Sequence, residues 1–172
     1  HISFIKLQRK VIEKELTDSN VWICNENASG NVTIGGKMTD LDKIKNRITE
    51  LGGRCLPLRV AGAFHTPLMQ HASDNLSELF NKANVRESNI KTLSNVTGKI
   101  LTTETIKTEL INQIVSPVEW LKTMKTLIDY DVTNAIEFGP SQVLSNLLRR
   151  TTKDIAIVNI DKLSDIENLE LQ

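Results

Sequence analysis

The sequence predicts an α/β protein built in two parts, with three observations behind that reading. Apolar runs of strand length alternate with segments of helical period along most of the chain. Over about residues 1–60 the order is β-α-β-β-α-β, the split pattern of a ferredoxin-like unit. Beyond residue 60 strands and helices alternate again, which implies a largely parallel sheet. The organisation expected is a ferredoxin-like part at 1–60, an α/β part at 61–160 and a loose acidic tail at 161–172.

Each element has a local reason. Residues 2–7 read as a first strand, and Val11, Ile12 and Leu16 mark a helical face over 9–17. Val21 to Cys24 is a second strand, and Asn25 to Gly30 has the composition of a turn. Asn31 to Ile34 closes the hairpin. Leu41, Ile44, Ile48 and Leu51 recur at helical spacing, with Asp40 near the start and Gly52 past the end. Arg54 to Val60 is the fourth strand. Gly62-Ala63-Phe64-His65 then forms a small-residue turn, Thr66 a helix cap and Pro67 the first residue of a helix over 66–83 that buries one face. Lys91 to Ser94 reads as a short strand before the turn Asn95-Val96-Thr97-Gly98, and 104–115 as a helix. Ser116-Pro117-Val118-Glu119 has capping-box spacing for the helix carrying Trp120, Leu121, Met124, Leu127 and Ile128. A buried strand at 132–138, a helix capped by Ser141 and a strand at 155–160 complete the order.

Composition narrows the function classes. The 172 residues can bury a core of their own, and 21 basic residues balance 21 acidic ones. No net field draws the chain to nucleic acid or to a membrane surface, and no apolar run spans a bilayer. Cys24 and Cys55 sit in apolar strand patterns without a second ligand at metal spacing. They read as buried thiols of a reducing compartment, the cytoplasm, with a bridge between the two as the alternative, and no metal site is expected. His65 lies where a strand end meets a helix start. A side chain there can point into a cleft, and a histidine so placed can move a proton near neutral pH.

Taken together, these residues resemble the C-terminal part of malonyl-CoA:acyl carrier protein transacylases and polyketide synthase acyltransferase domains. The resemblance runs from the first strand to about residue 150. Its landmarks are Asn25-x-Asn27, Gly62-Ala63-Phe64-His65-Thr66-Pro67-Leu68-Met69 and Ser94-Asn95-Val96-Thr97-Gly98. Gln113-x-x-x-Pro117-Val118-x-Trp120 and Glu137-Phe138-Gly139-Pro140 follow in order. The resemblance implies that the ferredoxin-like unit is inserted in an α/β-hydrolase-like core, of which the later residues form the C-terminal part.

The roles it implies are specific. His65 is the general base for a serine nucleophile, Gln113 helps fix the histidine, and Asn25 and Asn27 lie at the floor of the cleft. Phe64 occupies volume beside the α-carbon of the acyl group and favours malonyl over methylmalonyl. The substrate implied is malonyl-CoA, the partner an acyl carrier protein presenting its phosphopantetheine thiol, and no cofactor is bound. The family's Gly-x-Ser-x-Gly elbow is absent, so the serine and the carboxylate-binding arginine are expected upstream, in an N-terminal part of the same enzyme. This chain alone is then expected to be inactive. An acyl hydrolase acting on carrier proteins is the alternative activity. A non-catalytic ferredoxin-like module is a further one, but Asn31-Val32-Thr33-Ile34 offers no aromatic residue to stack a base.

Overall fold

The computed structural model describes residues 1–167 and 169. They divide into two compact units, the second beginning at Met124. The first unit begins with β1 (Ile2–Ile5), α1 (Arg9–Leu16), β2 (Val21–Ala28), β3 (Asn31–Gly36), α2 (Met38–Glu50) and β4 (Arg54–Pro57). The four strands form one antiparallel sheet in the order β2-β3-β1-β4. This is the topology that the β-α-β-β-α-β order predicts, because each helix carries the chain over a strand already in place. Ile2 and Phe4 of β1, Ile23 of β2 and Val32 and Ile34 of β3 share one face and pack against Ile12 of α1 and Leu41, Ile44 and Ile48 of α2. The other face bears Ser3 and Thr33 side by side in register.

Several element limits differ from expectation, each for a local reason. β2 continues through Asn25-Glu26-Asn27, expected as a turn, and only Ser29-Gly30 turns. Two register shifts in the β2–β3 ladder accommodate the extension, and Gly30 supplies the left-handed turn with φ 69°. Asparagine composition misleads here because Asn27 is bonded across the strands instead of to its own backbone. Its Nδ2 donates to Thr33 Oγ1 and Asn31 Oδ1, both at 3.5 Å. β4 stops at Pro57, which has no N–H to extend a ladder.

The rest of the first unit is helical with irregular links. Thr66 opens a 3-10 turn, Pro67–Met69, that passes into α3 (Gln70–Phe80). Within α3 only Ser73 is fully buried, while Leu79 and the preceding Leu68 are exposed, so the expected apolar face is only partly covered. The strand expected at 91–94 is reduced to a bridge between Leu93 and Ile100. α4 (Ile106–Asn112) follows. α5 (Trp120–Asp129), whose first residues end the first unit and whose remainder opens the second, starts later than the capping-box spacing predicts. Val118 is drawn out of the helix because its N–H donates to Cys24 O (2.8 Å) and its carbonyl accepts from Glu26 N (2.9 Å).

The second unit holds a parallel pair, β5 (Asn134–Phe138) and β6 (Ala156–Ile160), joined by α6 (Val143–Thr151). Ser141 does not cap α6. The Glu137 carboxylate accepts from Leu144 N, Ser145 N and Ser145 Oγ at 3.0, 2.8 and 2.5 Å, capping the helix from the neighbouring strand. Burial alone would raise the Glu137 pKa, but these hydrogen bonds and Arg149 hold it below the usual glutamate range. A short helix, α7 (Leu163–Glu167), stands where a loose tail was expected, and residues 168 and 170–172 lie outside the described residues.

Candidate active site

His65 is shaped by its neighbours in sequence. Thr66 is fully buried, donates from Oγ1 to Ala63 O (2.6 Å) and accepts from Leu68 N (3.3 Å). The clamp holds the turn between residues 63 and 68, and within it His65 adopts a left-handed backbone with φ 62°. A histidine there is uncommon, and such conformations persist only where surrounding bonds enforce them.

The enforcing bonds come from the end of α4. His65 N donates to Ile114 O (3.1 Å), Ser73 Oγ donates to Ile111 O (3.1 Å), and His65 Nδ1 lies 2.8 Å from Gln113 O. The last carbonyls of a helix have no partners within it, and three around the end of α4 are engaged by the segment carrying His65 and α3. A carbonyl can only accept, so Nδ1 carries the hydrogen. In the neutral ring Nε2 then keeps a lone pair, the form a general base requires.

His65 lines a cleft of about 410 Å³ together with Arg9, Trp22, Ile23, Pro67 and Pro117, among others. Neither Gln113, Phe64, Asn25 nor Asn27 lines it. Gln113 meets His65 through its main-chain carbonyl, while its side-chain Oε1 accepts from Asn95 Nδ2 (3.3 Å). Phe64 is 45% exposed and lays its ring against Gly62, where an added Cβ would stand 3.0 Å from the ring. Asn25 bridges to Val118, and the Asn27 amide is held within the hairpin.

A charged cluster beside the cleft escaped the reading by pattern. Arg9 Nη1 contacts both Glu119 carboxylate oxygens (2.8 and 2.9 Å) and Glu26 (3.0 Å), and Arg9 Nε contacts Glu13 (2.7 Å). Burial opposes the charge on Arg9, but these carboxylates raise its pKa further. Glu119 is buried, and Lys122 Nζ lies 3.3 Å from it. The one sequence signal was a glutamate in the otherwise apolar run Val118-Glu119-Trp120-Leu121.

A thiol nucleophile is not assembled here. Cys24 is buried, its Sγ neighbours His1 Nε2 at 3.8 Å, and burial pushes the thiol up to about 12. Among the described residues no group of three or more His, Cys, Asp or Glu side chains stands together to hold a metal ion, and no helix is long and apolar enough to cross a membrane.

Known proteins resemble this chain in sequence and fold. No family model matches the sequence. The chain is 31% identical over 166 residues to the malonyl CoA-acyl carrier protein transacylase of Bacillus subtilis, covering 95% of this chain and 51% of that protein. The solved malonyl CoA-acyl carrier protein transacylase of Clostridium perfringens superposes with a TM-score of 0.89 at 27% identity, over 97% of this chain and 54% of that one. Its relatives are the malonyl CoA-acyl carrier protein transacylases. A malonyl-transacylase solved in complex with a type II polyketide synthase acyl-carrier protein also matches, with a TM-score of 0.90 at 26% identity over 98% of this chain and 58% of that one. The chain spans about half the length of the curated relatives it matches. Its α/β fold is that of the corresponding part of these transacylases.

Proposed function

We propose that this chain is the part of an acyltransferase that supplies the general base and one wall of the cleft. The complete protein moves a malonyl group from coenzyme A to the phosphopantetheine thiol of an acyl carrier protein. The observation that carries the reading is the His65 Nδ1–Gln113 carbonyl bond, which frees Nε2 to accept a proton. A serine from the upstream part of the enzyme, absent from this sequence, attacks the thioester carbonyl while its proton passes to Nε2. The tetrahedral intermediate collapses, and the departing coenzyme A thiolate takes the proton from His65. The carrier protein's thiol then gives its proton to Nε2, attacks the acyl-serine ester and returns the serine hydroxyl. The residues need no cofactor of their own for these steps.

The remaining roles belong to the same proposal. Gln113 fixes the histidine through its carbonyl. Asn25, Asn27 and Phe64 stand outside the lining of the cleft within this chain, so Asn25 and Asn27 as its floor and Phe64 as the limit on an α-methyl branch act only in the cleft that the upstream part completes. The ferredoxin-like part ends near residue 60 and the acyltransferase core runs from 61 to 160. The partners are malonyl-CoA, the acyl carrier protein and the upstream part of the enzyme, and the setting is cytoplasmic.

Single-turnover loading of the full-length protein with labelled malonyl-CoA tests the reading. His65→Ala should lower loading by about a hundredfold or more. Loading within about tenfold of the parent would sink the assignment of the base. Release of malonate to water without transfer to the carrier protein would replace transfer by hydrolysis.

A further inference from the structure

The turn Ser94-Asn95-Val96-Thr97-Gly98 has no part in the chemistry above, yet it is held more firmly than a surface turn requires. Ser94 Oγ accepts from Val96 N (3.0 Å) and Thr97 N (3.1 Å), Ser94 N donates to Lys99 O (2.8 Å), and Gly98 N donates to Ser94 O (2.9 Å). Gly98 has φ 70° and lies so close to α5 that an added Cβ would stand 2.7 Å from Lys122 Cβ and 2.9 Å from its backbone. Only glycine meets both demands. The turn is therefore a rigid object seated on α5.

Several of its outward bonds lead to α4 and the segment that follows. Ser94 is buried and its hydroxyl donates to the Glu109 carboxylate. Asn95 Nδ2 donates to Gln113 Oε1, and Asn95 O accepts from Glu119 N (2.7 Å). Glu109 and Gln113 are one helical turn apart and lie on one face of α4. Two consecutive residues of a rigid turn thus grip two positions of one helix end, and the Gln113 carbonyl of that same end receives His65 Nδ1.

We propose that Ser94 is a positioning residue. Through Glu109, with Asn95 on Gln113 as the second hold, it aims the carboxyl-terminal carbonyl of α4 at His65 Nδ1 and so decides which imidazole nitrogen is left bare. The inference rests on the reading of His65 as a base for its catalytic meaning, but its structural content stands apart from substrate.

The test is nitrogen-15 NMR of the His65 imidazole in the full chain, at a pH where the ring is neutral. The native chain should show the Nδ1–H tautomer. Ser94→Ala and Glu109→Leu should each shift the tautomer ratio toward Nε2–H by roughly fivefold, the scale of one lost hydrogen bond. Glu109→Gln still accepts from the Ser94 hydroxyl and should keep the native ratio. Circular dichroism shows which variants fold. If Ser94→Ala does not, the Glu109→Leu and Glu109→Gln pair decides from the other side of the same bond. Native ratios in folded Glu109→Leu, or equal shifts in Glu109→Leu and Glu109→Gln, would overturn the proposal. Because no acyl donor is used, a failure of malonyl loading leaves this result standing, and a native ratio in every variant leaves the loading result standing.

Discussion

The two sheets of this chain treat their apolar side chains differently. In the four-stranded sheet, Phe4, Val32 and Ile34 have no exposed surface, because α1 and α2 cover that face with side chains such as Ile12 and Ile48. In the β5–β6 pair, Ile136, Phe138 and Val158 are 38%, 74% and 48% exposed. The face with Glu137 and Asn159 is fastened to α6 and its approach, since Asn159 Nδ2 donates to Ser141 O at 2.7 Å. Parallel strands are ordinarily covered on both faces. The first sheet carries its own core, whereas the second leaves Phe138 and Val158 exposed and adds polar bonds to one helix to the burial of Leu147, Leu148, Ile155 and Ile160. The candidate base depends on neither core directly. It is held by the turn of residues 63–68 and by the end of α4.

Substitutions that separate the two sheets test this difference. Phe4→Ala should have the largest effect, about 3–5 kcal/mol of lost stability by denaturant unfolding, since a fully buried ring leaves a cavity. A loss below about 1 kcal/mol would mean that the first sheet is not an independent core. Arg9→Ala comes next. It leaves the buried Glu119 with Lys122 as its basic neighbour among the described residues and should cost about 2–4 kcal/mol, while Arg9→Ala combined with Glu119→Gln should recover part of the loss.

The second sheet should answer to pH instead. The Glu137 pKa is depressed in the folded state, so its bonds to α6 contribute stability above the ordinary glutamate value near 4.5. That contribution is lost as pH falls through the lower folded value. Melting followed between pH 7 and 3 should therefore show a loss that Glu137→Gln shows less of. Parallel pH profiles for the two proteins would remove Glu137 from the account. Phe138→Ser should have the smallest effect, within about 0.5 kcal/mol, because the ring is largely in solvent. A loss comparable to that of Phe4→Ala would erase the distinction between the sheets.

Much of this was legible residue by residue. The alternation in β1 and β3 and the spacing of Leu41, Ile44 and Ile48 specify which faces are apolar, and the β2-β3-β1-β4 order follows from the element order. The junction around His65 was legible too, because Thr66 and Pro67 announce a helix start. The limits of β2 and α5 were not. Asn25-Glu26-Asn27 and Pro117-Val118 have turn and helix-start composition, yet they pair with each other's backbone from opposite ends of the first unit. Local preference yields where two distant stretches satisfy each other's N–H and C=O groups.

The sequence by itself determined which residue types stand ready: a histidine after a small-residue turn, a glutamine seven positions before a tryptophan, and a ferredoxin-like set of elements. The tertiary structure alone decided how they act. It gave the bond to His65 to the Gln113 carbonyl instead of the side chain, set the left-handed backbone at His65 and joined Arg9 to Glu119 across 110 positions. The physical reason is that periodicity records which side of an element is apolar. The partner of a helix's last carbonyl, or of a buried charge, comes from wherever the fold brings a donor, and no local pattern encodes that.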